Sequence, residues 1–378
     1  MKSNYNQLGQ YIEMVSRTNS DLKYGIEDVR GCSNTKQMMQ TRANLIGRTY
    51  EKFIVLRPQE FVFNRRTTRN GEKIGMAYNN TDREYIFTND YVAFRVKQEY
   101  LDKLLPDYLY LFFCRDEFDR YARYKSTGSA TEFFNWEDMC AVPFEIPPMD
   151  FQQLVVNAYK VLNKRIETKQ KINDNLEATA QAYFDNLFFS CDDTDCTLAD
   201  IALVNPSRPL SKGVEARCFD MSTLPTSGCI PNGDTTKPYN GGVRFINGDT
   251  LIARITPCLE NGKAAYINIL NEGEVAFGST EYIVFASKDD IPSCFYYFLI
   301  RNSKFVTFAL QFMNGSSGRQ RVSGEELASF PLMIPSKEKL AAFNKVGKLV
   351  LEQMKEATEE IQFLKQFQET ITATLSSN

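Results

Sequence analysis

The chain contains no histidine. That absence removes the imidazole that Ser-His-Asp and Cys-His catalysis, HExxH zinc hydrolysis and His-Asn nuclease chemistry each need as base or ligand. Nine cysteines lie scattered without one Cys-x-x-Cys, the closest pair being Cys191 and Cys196. Neither a zinc ribbon nor a disulfide framework is therefore expected, and the cysteines read as cytosolic thiols. Long apolar runs are also missing: residues 108–113 and 295–300 stop at six, against about 20 needed to cross a bilayer. The opening MKSNYNQLGQ has no apolar h-region, so a cytoplasmic rather than a secreted protein is expected. Gly-x-Gly-x-x-Gly, the P-loop and Asn-Pro-Pro-aromatic patterns are absent, Asn205-Pro206-Ser207 coming nearest to the last. No cofactor is expected in this chain.

What remains is an ordinary globular composition, 378 residues with 43% hydrophobic and 24% charged, long enough for two or three domains. The net charge of −3 hides a local concentration of acid. Asp192, Asp193, Asp195 and Asp200 fall within residues 190–200 with no base among them, and without those four the balance would be +1. An EF-hand would need alternating acids, a glycine and a terminal Glu, so this segment reads as a solvated linker.

Self-comparison shows one pattern twice. Leu8-Gly9-Gln10-Tyr11 leading to Ser16-Arg17 matches Leu198-Ala199-Asp200-Ile201 leading to Ser207-Arg208, at spacings of 190 and 191 residues. Asn70-Gly71 and Asn261-Gly262, then Tyr91-Val92-Ala93-Phe94 and Tyr282-Ile283-Val284-Phe285, also stand 191 apart. Thr127-Gly128-Ser129 matches Asn314-Gly315-Ser316, and Glu137-Asp138-Met139 matches Glu325-Glu326-Leu327, at 187 and 188. Each triplet leads to a Pro-x-x-Ile-Pro exit, Pro143 to Pro147 and Pro331 to Pro335. The shared order and small drift fit two copies of one fold that differ by loop insertions. Aromatic and β-branched runs predict strands at 50–56, 61–64, 85–96, 243–246, 250–255 and 274–286, with shorter helices at 106–125 and 291–312. Each copy is therefore of the α+β class.

A long helical segment follows each copy. In 337–378, Leu340, Phe343, Gly347, Val350, Met354, Ala357, Ile361, Leu364, Gln368, Ile371 and Leu375 recur in steps of three and four, the spacing of a coiled-coil seam. In 150–188, the weaker series Phe151, Val155, Ala158, Leu162, Arg165, Lys169, Ile172, Leu176, Thr179, Tyr183 and Leu187 is polar through its middle. Both segments are charge-balanced, which suits a scaffold better than a helix that reads DNA. A heptad series does not name its partner, so a helix lying on its own domain's core stays open.

This layout resembles the specificity subunit of type I restriction-modification systems across essentially the whole chain. The resemblance is carried by the Gly-Ser loop, the acidic-apolar triplet, the Pro-Ile-Pro exit and the paired long helices. It implies target recognition domains at 1–149 and 198–335, spacer helices at 150–188 and 336–376 packed as an antiparallel coiled coil, and an acidic linker at 189–197. It implies a non-catalytic subunit whose domains each read half of a bipartite duplex site. The helices would set the spacing and dock two methyltransferase subunits, which carry S-adenosylmethionine, with restriction and translocase subunits possible partners. Where the family often has Glu-Gln early in the helices, this chain has Phe151-Gln152-Gln153 and Lys337-Glu338-Lys339.

The candidate DNA-contacting residues lie in loops. Residues 57–73 offer Arg57, Asn64, Arg65, Arg66, Arg69, Asn70 and Lys73, with a local net charge of +3, and Ser129 follows in the Gly-Ser loop. The second copy offers Arg254, Asn261 and Lys263, then Ser316, Ser317, Arg319, Gln320 and Arg321. Arginine forks fit guanine O6/N7, asparagine fits adenine N6/N7, and Gly-Ser amides approach phosphates closely. The plainer reading of any one of them is a solvated surface side chain. Trp136, Phe133-Phe134 and Tyr296-Tyr297-Phe298 fall in apolar periodic segments and read as core rather than as stacking platforms. Two rival functions stay open: a coiled-coil interaction scaffold unrelated to DNA, and an autonomous carboxylate nuclease, for which Asp107, Asp116 and Glu117 lack the acid-x-Lys element.

Overall fold

Each repeat builds a four-stranded antiparallel sheet with one strand order. The computed structural model describes residues 6–41, 45, 47–67, 73–128, 131–190, 194–316, 318–333 and 335–375. In the first copy the order is Ile12–Val15, Tyr91–Val96, Phe61–Asn64, Met76–Tyr78; in the second it is Ala202–Val204, Tyr282–Ser287, Thr250–Ala253, Ala264–Tyr266. Beside the first copy's sheet lie two two-stranded pairs and beside the second copy's a further four-stranded sheet, and a parallel contact crosses in each place, Val29 to Ile86 and Cys218 to Phe277. The runs predicted at 85–96 and 274–286 each break in two, because Tyr85–Phe87 and Ala276–Gly278 join these neighbouring sheets while Tyr91–Val96 and Tyr282–Ser287 join the four-stranded antiparallel ones. Alternation alone does not show where a chain changes sheet. The helices predicted at 106–125 and 291–312 likewise divide, into Pro106–Phe113 with Asp116–Lys125 and into Ser293–Arg301 with Ser303–Gln311. In the second pair Asn302 makes the break, its side chain accepting the backbone N–H groups of Lys304 and Phe305.

The chain divides into two units, residues 1–164 with 364–378, and residues 165–363. In the first, buried aromatics fill the space between sheet and helices: Phe61 stacks on Phe94 at 5.0 Å, Phe113 meets Phe118 at 4.7 Å, and Trp136 lies against Phe94. In the second, Phe184, Phe295, Phe298 and Phe343 do the same work. Trp136, Phe134 and Tyr296–Phe298 thus belong to cores. The polar chain at each sheet is anchored by a buried fork: Arg17 on Glu60 at 3.0 and 3.1 Å, and Arg208 on Asp249 at 2.6 and 3.2 Å. Glu60 therefore spends its charge on Arg17 rather than on the arginine-rich loop.

The long helices run Met149–Phe188 and Lys337–Thr374. In the first unit Gln368 donates to Asn163 while Leu375 packs with Val155 and Val156, an antiparallel pairing. In the second unit Arg165 pairs with Glu360, Asn173 donates to Thr358, and Phe184 meets Phe343, again antiparallel. On the second helix Leu340 through Leu364 of the predicted seam are buried, and a Cβ at Gly347 would come within 2.8 Å of the Phe343 ring. On the first helix the seam is rotated. Ile172 is exposed, and the heptad Ile166, Asn173, Ala180 is buried instead. An asparagine can hold a buried position when its amide finds partners, so hydrophobicity misplaces the stripe there. Gln152 starts the first helix as a buried amide, accepting from Leu105 N–H and donating to the carbonyls of Lys103 and Pro147.

Candidate nucleic-acid interface

In both copies the strand at the sheet centre runs past the sheet edge and is met there by the Gly-Ser loop. Backbone bonds make the meeting, joined in each copy by a threonine hydroxyl: Thr67 Oγ1 donates to Glu132 O at 3.3 Å, and Thr256 Oγ1 accepts from Gln320 N–H at 3.0 Å. In the first unit Phe134 N–H donates to Arg65 O (2.9 Å), Thr67 N–H donates to Glu132 O (3.0 Å), and Thr127 and Phe133 exchange two bonds at 2.9 and 3.1 Å. In the second, Val322 donates to Arg254 O (3.1 Å), Thr256 donates to Gln320 O (3.0 Å), and Asn314 and Arg321 exchange two bonds at 2.9 Å. The loops enclosed are residues 128–132 and 315–320. Glycine is required at the start of each: Gly128 has φ +146° and Gly315 φ +130°. A Cβ at Gly128 would stand 2.0 Å from Thr131 O, and one at Gly315 would stand 3.1 Å from Arg319 O.

The side chains on this shared frame differ. Arg65 is exposed and lies over the Phe133 ring at 5.8 Å, and exposed Arg66 stands 3.9 Å from Asp90. An ion pair this loose and wet contributes about 0–1 kcal/mol and yields easily to a phosphate. Arg321, in the place of Phe133, forks onto Glu281 at 2.7 and 3.0 Å. That hydrogen bonding holds the Glu281 carboxyl below its usual range and raises Arg321. Arg254 turns a buried Nε into the same corner without a hydrogen-bond partner. Ser316 and Arg319 are exposed on the tip and Gln320 is half-buried.

The structure thus gathers Arg65 and Arg66 in one unit, and Arg254, Ser316, Arg319, Gln320 and Arg321 in the other. It ties other candidates elsewhere. Arg57 pairs with Glu84 at 3.0 Å, Lys73 with Asp116 at 3.4 Å, and Lys263 donates to Met221 O at 2.5 Å. Asn64 closes a turn by accepting Arg66 N–H, and Asn261 is exposed on the turn after Pro257. Arg69, Asn70, Ser129 and Ser317 lie outside the described residues. Sequence reasoning missed the acids Asp90 and Glu281. The signal was there: each stands one residue before the repeated Tyr-[Val/Ile]-x-Phe. Among the described residues no group of His, Cys, Asp and Glu could hold a metal ion, and no helix is long and apolar enough to cross a membrane.

Comparison with known proteins agrees with this duplicated plan. The specificity subunit of the type I restriction enzyme EcoEI from Escherichia coli is 27% identical over 192 residues, covering 48% of this chain and 32% of that protein. The EcoAI specificity subunit from Escherichia coli is 36% identical over 96 residues, covering 25% and 16%. The chain thus matches no more than about a third of the length of these curated relatives. Among solved structures, the type I restriction-modification S subunit from M. genitalium shares the fold with a TM-score of 0.55 at 13% identity, covering 98% of this chain and 96% of that one. The family model for the type I restriction modification DNA specificity domain matches twice, at residues 33–178 and 228–376, one match per copy, and the chain belongs to that family.

Proposed function

We propose that this chain is the DNA sequence-specificity subunit of a type I restriction-modification complex. Residues 1–149 and 198–335 act as target recognition domains, each reading one half of a bipartite duplex site. Residues 150–188 and 336–376 act as spacer helices, and 189–197 as an acidic linker. The observation that carries this reading is the pair of loops held at equivalent sheet edges by the same four kinds of backbone bond, each presenting arginine on a rigid frame. Two equivalent presenting surfaces suit a duplex, whose binding elements recur at fixed separation.

Arg65, Arg66, Arg319, Gln320 and Arg321 are the residues we place nearest DNA, with Arg254 and Ser316 beside them. Arg57, Asn64, Lys73 and Lys263 lie on the flanks and would reach phosphates only by giving up the partners described above, and Asn261 lies exposed on the flank. Arg69, Asn70, Ser129 and Ser317 complete the set. The subunit is non-catalytic in this reading. S-adenosylmethionine belongs to two methyltransferase subunits that dock on the helices, where Leu154, Val161, Ile172, Leu349, Phe363 and Phe367 stay exposed. Nuclease and translocase subunits join the same complex in the cytoplasm.

Co-purification with the methyltransferase and mapping of methylated adenines in genomic DNA test the reading. A bipartite motif with a fixed gap is expected, and exchange of residues 198–335 for another such domain should change one half only. Methyl transfer by the chain shown free of any partner, or a motif without two halves, would overturn it.

A further inference from the structure

The loop joining an inner strand of each sheet to the edge strand beside it re-enters through a residue two places before that edge strand: Ile74 before Met76–Tyr78, and Gly262 before Ala264–Tyr266. The pairings Phe63 with Met76 and Ile252 with Ala264 make these two residues equivalent. In both units the carbonyl of that residue accepts from a buried cation. Lys36 Nζ donates to Ile74 O at 2.8 Å, and Arg301 Nη1 donates to Gly262 O at 2.6 Å. Each cation is held by a carboxylate, buried in the first pair and 17% exposed in the second. Lys36 pairs with Asp119, whose Oδ1 also accepts Ile74 N–H at 2.9 Å, so Ile74 is gripped on both sides. Arg301 lies 3.4 Å from Glu177, and its fork further reaches Thr226 O at 3.3 Å and Gly228 O at 3.1 Å. Glu177 accepts from Gly228 N–H at 3.2 Å and is hydrogen-bonded by the Tyr297 hydroxyl.

The two grips share no sequence. Lys36 comes from the turn between strands Arg30–Cys32 and Met38–Gln40, and Asp119 from helix Asp116–Lys125; Arg301 ends helix Ser293–Arg301 and Glu177 belongs to the long helix. Unrelated residues thus converge on one carbonyl, at the root of the loops that carry Arg65 to Lys73 and Arg254 to Lys263. A charged donor strengthens its bond to a carbonyl and fixes its direction.

We propose that Lys36–Asp119 and Glu177–Arg301 are positioning pairs, each setting the aim of its own domain's loop, so that fidelity at each half-site depends on a buried ion pair that touches no DNA. The proposal rests on the reading that each domain recognises half a site. Removing one partner would strand a buried charge, whereas replacing both with apolar residues of similar volume is often neutral for stability, which separates aim from folding. The experiment uses the full chain in complex with its methyltransferase partner and maps methylation at cognate and singly mismatched sites, with melting temperature read in parallel. Lys36→Met with Asp119→Leu should lower discrimination at the first half-site about tenfold and at the second by less than about twofold, and Glu177→Leu with Arg301→Met should do the reverse. Arg301→Lys, which keeps the charge on Glu177 but not the three-carbonyl fork, should fall between. Wild-type discrimination in a folded double variant overturns the proposal. So does equal relaxation of both halves, or loss of the melting transition in the double variants and Arg301→Lys alike, since each describes a general structural role. A wild-type complex without a bipartite motif would sink the underlying reading instead.

Discussion

The two copies agree in backbone and disagree in side chain, and the places of disagreement are informative. Sheet order, the parallel contact beside the antiparallel sheet, the Arg-carboxylate fork and the bonds that close the Gly-Ser loop all recur. At the loop itself Phe133 stands where Arg321 stands, Glu132 where Gln320 stands, and Asp90 where Glu281 stands. One copy therefore offers Arg65 on an aromatic face, and the other offers Arg321 already neutralised by Glu281. The frame is duplicated and the chemistry on it is not, as expected if the frame holds and the side chains discriminate.

The largest test of that comparison lies in the cores. Phe184→Ala in the second unit, which removes a fully buried ring packed on Phe188, Phe295 and Phe343, should cost about 3–5 kcal/mol in thermal or denaturant unfolding. In the first unit Val155, 188 residues before Phe343, fills the corresponding core place with a smaller side chain, and Val155→Ala should cost nearer about 2 kcal/mol. Equal losses would mean the two cores are better matched than their residues suggest. Next comes Gly128→Ala, for which strain of about 1–3 kcal/mol is expected with loss of recognition confined to the first half-site. Gly315→Ala, whose contact is 3.1 Å rather than 2.0 Å, should be milder, and half-site methylation of both variants compares them.

The arginines sharpen the comparison further. Arg65→Ala, Arg66→Ala, Arg319→Ala and Arg321→Ala should each either remove about 1–3 kcal/mol at one base position or weaken all sequences alike with a salt slope shallower by about one. Glu281→Gln should steepen the salt slope of duplex binding by releasing Arg321, whereas Asp90→Asn should change little, because Arg66 is barely held. Four silent alanine variants would remove the loops from the interface.

The smallest effect concerns pH. Glu360 accepts from Lys169 and Arg165, and these bonds hold its carboxyl below the usual range. A depressed acid contributes stability that is present above its unfolded value and is lost as pH falls through the folded one. Glu360→Gln should therefore flatten the acid limb of the unfolding curve by lowering stability slightly at neutral pH while leaving it unchanged at the acid end. An unaltered acid limb would show that this exposed trio contributes nothing measurable.

Periodicity and repeat spacing located the elements that depend on local chemistry. The second helix's seam was readable because Leu340, Phe343, Val350 and Met354 are apolar and buried together. The first helix misled because Asn173 occupies a buried position by hydrogen bonding, leaving Ile172 outside. The candidate loops were visible as arginine and Gly-Ser, yet not their meeting, which rests on backbone bonds and on Thr67 and Thr256. The repeated Arg17 and Arg208 could be matched by eye, while Glu60 and Asp249, their partners 41 to 43 residues on, could be paired only in three dimensions. Matching Asn70-Gly71 to Asn261-Gly262 set the second copy three residues out of step, since strand pairing equates Gly262 with Ile74.

Closing each Gly-Ser loop through main-chain bonds has an evolutionary side. Apart from the threonine hydroxyls at 67 and 256, those bonds ask nothing of residue identity beyond the exclusion of proline and the need for glycine at 128 and 315. The tips between them, which already differ by one residue in length, can be rewritten with little penalty to the fold. Such a loop drifts freely under selection for a new target while the sheet beneath stays intact. A library randomised at 129–132 and 316–320 would sample new specificities on a scaffold that does not register the change.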